Sequence, residues 1–221
     1  MSDPTFKLLS YQIPHFTNLL NIITNKSRGL DASDTGTGKT YCAAALCKVL
    51  NLRPIVLCPK SVLPDWSRVL KEFDVNSLGI GNYESYHNCK YYPRGDLKIK
   101  NNCEYMRVLK VSKNHPCATE RDESFAWERL PENAIFIFDE VHRCKNLRTI
   151  NSVLLYSAAE SKAKILMLSA TAADKPETFQ LLGFVLGLYP SIRHAKNWIS
   201  NLVNMELVYY IVKYFPLMLQ E

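Results

Sequence analysis

The stretch Ser33-Asp34-Thr35-Gly36-Thr37-Gly38-Lys39-Thr40 sets a glycine-rich turn between an apolar run and a helix-forming run, the arrangement of a phosphate cradle. Gly36 and Gly38 let the backbone curl so that its N–H groups point inward at phosphate oxygens, with Thr35 and Thr37 on the same turn. The helix that begins at Lys39 adds the positive end of its dipole. Lys39 is placed to neutralise the β- and γ-phosphates of a nucleoside triphosphate, and the Thr40 hydroxyl to ligate Mg²⁺. One position departs from the pattern: Ser33 stands where the first glycine is usual.

One hundred positions beyond Lys39 the chain reads Asp139-Glu140-Val141-His142, directly after the apolar run Ala134-Ile135-Phe136-Ile137-Phe138. A run with no polar alternation is expected of a central strand buried on both faces. Its C-terminal end lies on the usual ligand edge of a parallel sheet. There Asp139 would hold the Mg²⁺ through water, and Glu140 would orient and deprotonate an attacking water. The loop and the paired acids together imply hydrolysis of a nucleoside triphosphate.

Around these motifs short apolar strands alternate with helical stretches, the pattern of an α/β fold with a mostly parallel central sheet and helices on both faces. Strands are expected near 29–32, 54–58, 78–83, 134–138 and 164–168, and helices near 13–24, 39–50, 62–73, 147–159, 176–188 and 196–214. Residues 87–131 are rich in Tyr, Lys, Asn and Cys without clear periodicity and read as an insertion on a loop. The expected organisation is one domain over 1–195 carrying that insertion, then a helical C-terminal segment over 196–221.

The 221 residues can bury a substantial core, and 47% apolar with 22% charged residues is ordinary for a soluble globular chain. A net charge of +6 and a pI near 8.9 suit a polyanionic partner without requiring one. Seven scattered cysteines, an odd number, read as reduced thiols of an intracellular protein rather than a disulfide framework. The first residues of the sequence do not follow a basic-then-apolar pattern, and no apolar run reaches about 18 residues. The nearest, over 207–219, is interrupted by Lys213 and Pro216.

Gly38-Lys39-Thr40, then Asp139-Glu140-x-His142, then Ser169-Ala170-Thr171 after a further strand resembles the first RecA-like, ATP-binding lobe of a superfamily-two helicase, a P-loop NTPase domain. Other stretches resemble the Swi/Snf-type branch of DNA-dependent ATPases. These are Cys58-Pro59-Lys60-Ser61-Val62-Leu63-Pro64-Asp65-Trp66, Asp139-Glu140-Val141-His142-Arg143-Cys144-Lys145-Asn146, and Asn82-Tyr83-Glu84-Ser85. The run 176–190, with Glu177 and a leucine-rich helix, follows the same pattern, and the likeness extends from Tyr11-Gln12 to about Trp198.

The resemblance implies ATP and Mg²⁺ as cofactors, with nucleic acid as a partner. By it Gln12 would read the adenine edge, since an amide offers a donor and an acceptor matching N7 and the exocyclic amine. His142 would link the hydrolysis site to the third motif, where Ser169 and Thr171 would relay nucleotide state to lobe closure. Lys60 and Ser61, at a helix start, and Tyr83 would touch the nucleic-acid backbone. The Ser-Ala-Thr form of the third motif is common in DEAD-box and DExH helicases, so RNA stays open beside DNA, which the branch motifs favour.

A second RecA-like lobe with its arginine pair is not found in the chain. An arginine of that kind is worth about 10³–10⁵ in turnover, so weak hydrolysis is expected of this chain alone, as a fragment or half of a split motor. Two other classes compete: a helicase-derived binding module without useful turnover, and a small-molecule kinase. Intact Lys39, Thr40, Asp139 and Glu140 speak against the first, and the lack of an acceptor lid against the second. His87, Cys89, Cys103, His115 and Cys117 are candidate zinc ligands, but without a CxxC pair they read as scattered groups, and Lys90, Lys98, Lys100, Lys110 and Lys113 as a solvated face.

Overall fold

The computed structural model describes residues 7–112, 115–116, 118–120, 122–171 and 176–200. Within them the chain runs α1 (Ile13–Lys26), β1 (Arg28–Asp31), α2 (Lys39–Val49), β2 (Arg53–Cys58), α3 (Leu63–Glu72), β3 (Gly79–Asn82) and α4 (Tyr83–His87). Next come β4 (Lys90–Pro93), β5 (Asn101–Asn102), β6 (Met106–Lys110), β7 (Glu123–Trp127) and β8 (Ala134–Asp139). The series closes with α5 (Ile150–Glu160), β9 (Lys164–Leu168), α6 (Gln180–Val185) and α7 (Ala195–Ser200). The main sheet has the order β1-β9-β8-β2-β3-β4-β5. Its first five strands are parallel, as helical crossovers allow, and β4 and β5 add antiparallel at one edge.

β8 shows how side-chain alternation builds two cores. Phe136 and Phe138 pack on one face of the sheet with α4, α5, α6 and the β6–β7 hairpin. Ile135 and Ile137 pack on the other with α1, α2 and α3. Each such side chain, fully removed from water, contributes roughly 2 kcal/mol of burial. In α3, Trp66, Val69 and Leu70 fall on one buried face, Pro64 opens the first turn, and Asp65 and Lys71 match the two ends of the helix dipole. In α2 every residue from Cys42 to Cys47 is buried; three consecutive alanines keep the helix slim enough to lie between the sheet, α1 and α3.

The strands expected from the sequence are all present, with small shifts at their ends. Tyr83 opens α4 rather than closing β3. α5 starts at Ile150 because Thr149 caps it, its hydroxyl accepting from the Ser152 N–H at 3.2 Å. The helix expected over 176–188 divides into a 3-10 turn, Pro176–Phe179, and α6. Of the helix expected over 196–214, α7 covers the start and 201–214 lie outside the described residues.

The clear correction concerns 87–131, expected as an aperiodic loop. It carries β4 and β5, which widen the sheet, and the β6–β7 hairpin, which covers part of α5. Phe125 and Trp127, two apart on β7, both enter the core. The Trp127 ring meets Phe136 edge-on at 4.6 Å, and its Nε1–H donates to Ser157 Oγ at 2.9 Å. β6 is largely exposed apart from Met106, and on β7 the buried Ser124 beside Phe125 breaks the alternation, so neither strand shows a clean period of two.

Among the described residues no helix is long and apolar enough to cross a membrane. Cys42, Cys47, Cys58, Cys89, Cys103 and Cys144 are free thiols. Burial pushes those of Cys47 and Cys144 up to about 12, which keeps them protonated and inert. His87 is tied to Asn151 Oδ1 at 2.7 Å, and among the described residues no group of His, Cys, Asp or Glu is arranged to hold a metal ion; Cys117 lies outside them.

Candidate active site

β1, β9, β8 and β2 are neighbours in the sheet and point the same way, so whatever follows each strand gathers on one edge. The glycine-rich turn follows β1 and Ser169 follows β9. Asp139 ends β8, with Glu140 next, and Lys60-Ser61 lie just beyond β2. Ser33 and Ser169, 136 positions apart in sequence, thus share a single sheet edge by topology alone.

The turn has the backbone that its glycines permit. Gly36 and Gly38 lie at φ +78° and +86°, in the left-handed region. A Cβ on Gly38 would sit 1.9 Å from Gln12 Nε2, so no side chain fits there without displacing Gln12. Gln12 is only 5% exposed; its Nε2–H donates to the Thr37 carbonyl at 3.0 Å, and its Oε1 accepts from the Leu9 N–H at 2.9 Å. Thr35 and Gly36 are exposed, and Thr40 is half-buried one residue into α2. Gly38 gives that helix no side-chain cap. Lys39 Nζ donates to the carbonyls of Ser33 and Asp34, both at 2.8 Å, and has no carboxylate within ion-pair distance among the described residues. A helix N-terminus, a left-handed glycine turn and a cation held by neutral carbonyls form a donor set suited to a polyphosphate.

Asp139 is half-buried at the end of β8. Burial pushes its carboxyl above the usual range; the Trp66 indole N–H, donating to Oδ2 at 2.7 Å, opposes this, Glu140 adds to it, and Lys39 counters it. Glu140 is a non-glycine residue in the left-handed region, φ +55° and ψ +50°, which costs of order 1 kcal/mol and turns the chain sharply after the strand. Its Oε2 lies 3.1 Å from His142 Nδ1, and the same nitrogen lies 3.1 Å from Ser169 Oγ. Ser169 is fully buried, and its Oγ accepts from the Thr171 N–H at 3.3 Å. Glu140, His142, Ser169 and Thr171 therefore form one continuous polar chain.

Tyr83 is corrected. It is fully buried, its ring packs near Phe138, and its hydroxyl donates to the Asp139 main-chain carbonyl at 2.9 Å. An aromatic there steadies the β8 end and presents no face to a nucleic acid. Lys60 and Ser61, by contrast, are exposed in a short 3-10 turn ahead of α3.

Three residues that belong to this edge had no role assigned from the sequence: Trp66, Asp31 and His15. Trp66 stood inside a quoted motif without a partner. Asp31 carried the better signal, a carboxylate directly after Gly29-Leu30 at the strand end that leads into the glycine-rich turn. His15, one turn beyond Gln12, meets Asp31 Oδ2 at 2.7 Å.

Residues 5–174 match the protein family described as "Type III restriction enzyme, res subunit". Over 204 residues, 91% of this chain, the sequence is 33% identical to the Acanthamoeba polyphaga mimivirus protein named "Putative ATP-dependent RNA helicase L364". Over 203 residues, 88% of the chain, it is 26% identical to the Arabidopsis thaliana protein named "Probable ATP-dependent DNA helicase CHR23". The matched regions span 37% and 18% of those two relatives.

Proposed function

Because the chain belongs to the family of the Type III restriction enzyme res subunit, with helicases among its relatives, we propose that it is the ATP-binding lobe of a nucleic-acid-dependent ATPase that works inside the cell. The observation that carries the proposal is Lys39, a cation at a helix start inside a left-handed glycine turn, on the same sheet edge as Asp139 and Glu140. In this reading 1–195 form the motor lobe and 196–221 lead toward a second lobe, supplied by a longer protein or a partner.

The residues divide the work as follows. Thr35 to Gly38 and the first amides of α2 cradle the phosphates, Lys39 neutralises the β- and γ-phosphates, and Gln12, whose amide here bonds the Leu9 N–H and the Thr37 carbonyl, would read the base only by turning from those partners. Thr40 and Asp139 would hold Mg²⁺, which would supply charge neutralisation for the phosphates when bound. Glu140 takes a proton from a water as that water's oxygen bonds to the γ-phosphorus; the bond from phosphorus to the β–γ bridging oxygen breaks, and ADP leaves with that oxygen. His142, bonded to Glu140 and Ser169, passes the change in the site to Thr171.

DNA is the proposed track, on the strength of the Swi/Snf-like stretches 58–66 and 139–146. RNA is the second reading, favoured by Ser169-Ala170-Thr171 and by the name of the mimivirus relative. In either case Lys60 and Ser61 would contact phosphates and carry no sequence information. The test is Mg·ATP binding and ATPase activity with double-stranded DNA, single-stranded DNA and RNA, on this chain and on a form extended by a second lobe. Stimulation by one polymer in the extended form supports the proposal and names the track. An unchanged nucleotide affinity in Lys39→Ala would overturn it.

A further inference from the structure

Asp31 is a carboxylate whose side chain is wholly shielded from solvent, and none of the roles above uses it. Burying such a charge is costly unless it is paired, so its partners indicate what it is for. Oδ1 accepts from the Ser33 N–H at 3.0 Å and from the Ser33 Oγ–H at 2.7 Å. Oδ2 faces His15 Nε2 at 2.7 Å. Burial pulls the Asp31 carboxyl upward, but the bonds and charge of His15 and the bonds from Ser33 outweigh it and hold the group below the usual carboxylate range. The Cys42 thiol, the other titratable neighbour, is pushed up to about 12 and stays neutral beside it.

The grip continues into the loop. The Ser33 and Thr37 hydroxyls lie 2.9 Å apart; Ser33 spends its proton on the charged Asp31, so Thr37 shares its own between Ser33 Oγ and the Asp34 carbonyl, also at 2.9 Å. Gln12, three residues before His15 and at the same end of α1, holds the Thr37 carbonyl. We propose that His15 and Asp31 are positioning residues of the phosphate loop, a buried clamp that acts through Ser33 and occupies the place of the pattern's first glycine. The clamp rests on the nucleotide reading of that loop. Its effect is preorganisation: the turn is held at Ser33 and Thr37 before phosphate arrives, so less ordering is left to binding.

The test is Mg·ADP affinity by calorimetry on the whole chain. Ser33→Ala and Asp31→Asn are each expected to weaken binding about tenfold, the loss of a charge-assisted bond. Because they act through one another, the double variant should bind within about twofold of Asp31→Asn alone. His15→Gln, which keeps a donor toward Oδ2, should retain affinity within about threefold, while His15→Phe should fall with Asp31→Asn. General loosening of the fold would give neither the non-additivity nor the rescue by Gln. If Asp31→Asn fails to fold, Ser33→Ala on its half-buried loop still carries the test. Wild-type affinity in Ser33→Ala and His15→Phe, with Lys39→Ala unable to bind, removes the clamp and leaves the nucleotide site standing. Wild-type affinity in Lys39→Ala removes the site itself.

Discussion

Replacing Trp66 by Phe isolates one bond at the end of β8. Trp66 is 1% exposed on α3, and its indole N–H meets Asp139 Oδ2 at 2.7 Å. Phe keeps an aromatic ring in the same core but has no donor. A hydrogen bond to a charged group is worth about 1.5–3 kcal/mol, and the smaller ring adds about 1 kcal/mol of lost packing. The expected loss of folding stability is therefore roughly 3 kcal/mol at pH 7. The two contributions separate in a double-mutant cycle with Asp139→Asn. The amide oxygen still accepts from the indole, but as a neutral group it gains only about 1 kcal/mol. Trp66→Phe should accordingly cost about 1 kcal/mol less in the Asn background than in the wild type, read from urea midpoints at constant slope. Mg·ADP affinity of the single variant should drop about tenfold, because the carboxylate loses the donor that fixes its orientation. Equal costs in both backgrounds, within about 0.5 kcal/mol, would refute the idea that the indole holds the charged form of Asp139.

Asp139→Asn by itself should abolish hydrolysis and yet raise the melting midpoint by a few degrees at pH 7, since it removes a charge that burial disfavours; calorimetric scans with an ATPase assay check both halves. Asp31 behaves in the opposite sense. Its folded-state affinity for protons is depressed, so its stabilisation is present above the ordinary carboxylate value, about 3.9, and is lost as pH falls through the lower folded value. The stability gap between wild type and Asp31→Asn should thus be widest near neutrality and close below about pH 4, as read by urea titration across pH. Gly38→Ala should cost about 2–3 kcal/mol, from a left-handed alanine and from displacing Gln12 from two bonds, and should eliminate detectable Mg·ADP binding. A near-native midpoint for that variant would mean the turn can relax around a methyl group.

What the sequence made legible follows the range over which each signal acts. β8 is visible as five apolar residues in a row, and the turn after β1 as glycines at fixed offsets; both are local patterns that a buried strand and a phosphate cradle impose. The β6–β7 hairpin was not visible, because its inner face is marked by Met106, Phe125 and Trp127 alone among the apolar residues of the two strands that reach the core, while Val108 on β6 is exposed. The bonds that tune the site were illegible for another reason. Trp66 to Asp139 spans 73 positions and His142 to Ser169 spans 27, so no window along the chain contains both partners. Tyr83 misled because a tyrosine at a strand end looks the same in sequence whether its ring lies outward or, as here, under the end of β8.

Asp31 also explains why the two halves of the edge need not move independently. Its side chain holds Ser33 at the start of the phosphate loop, and its main-chain carbonyl accepts from the Ser169 N–H at 3.0 Å. Ser169 in turn bonds His142, which bonds Glu140. A shift of the loop large enough to strain the Asp31–Ser33 bonds acts on the residue whose backbone anchors the polar chain behind Glu140. The element shared by the two halves is one residue at the end of β1. The physical consequence is that substitutions at Ser33 and at Ser169, on different strand ends and without mutual side-chain bonds among the described residues, should not be energetically independent, whereas Lys60 and Ser61, beyond β2 and outside this chain of bonds, should be.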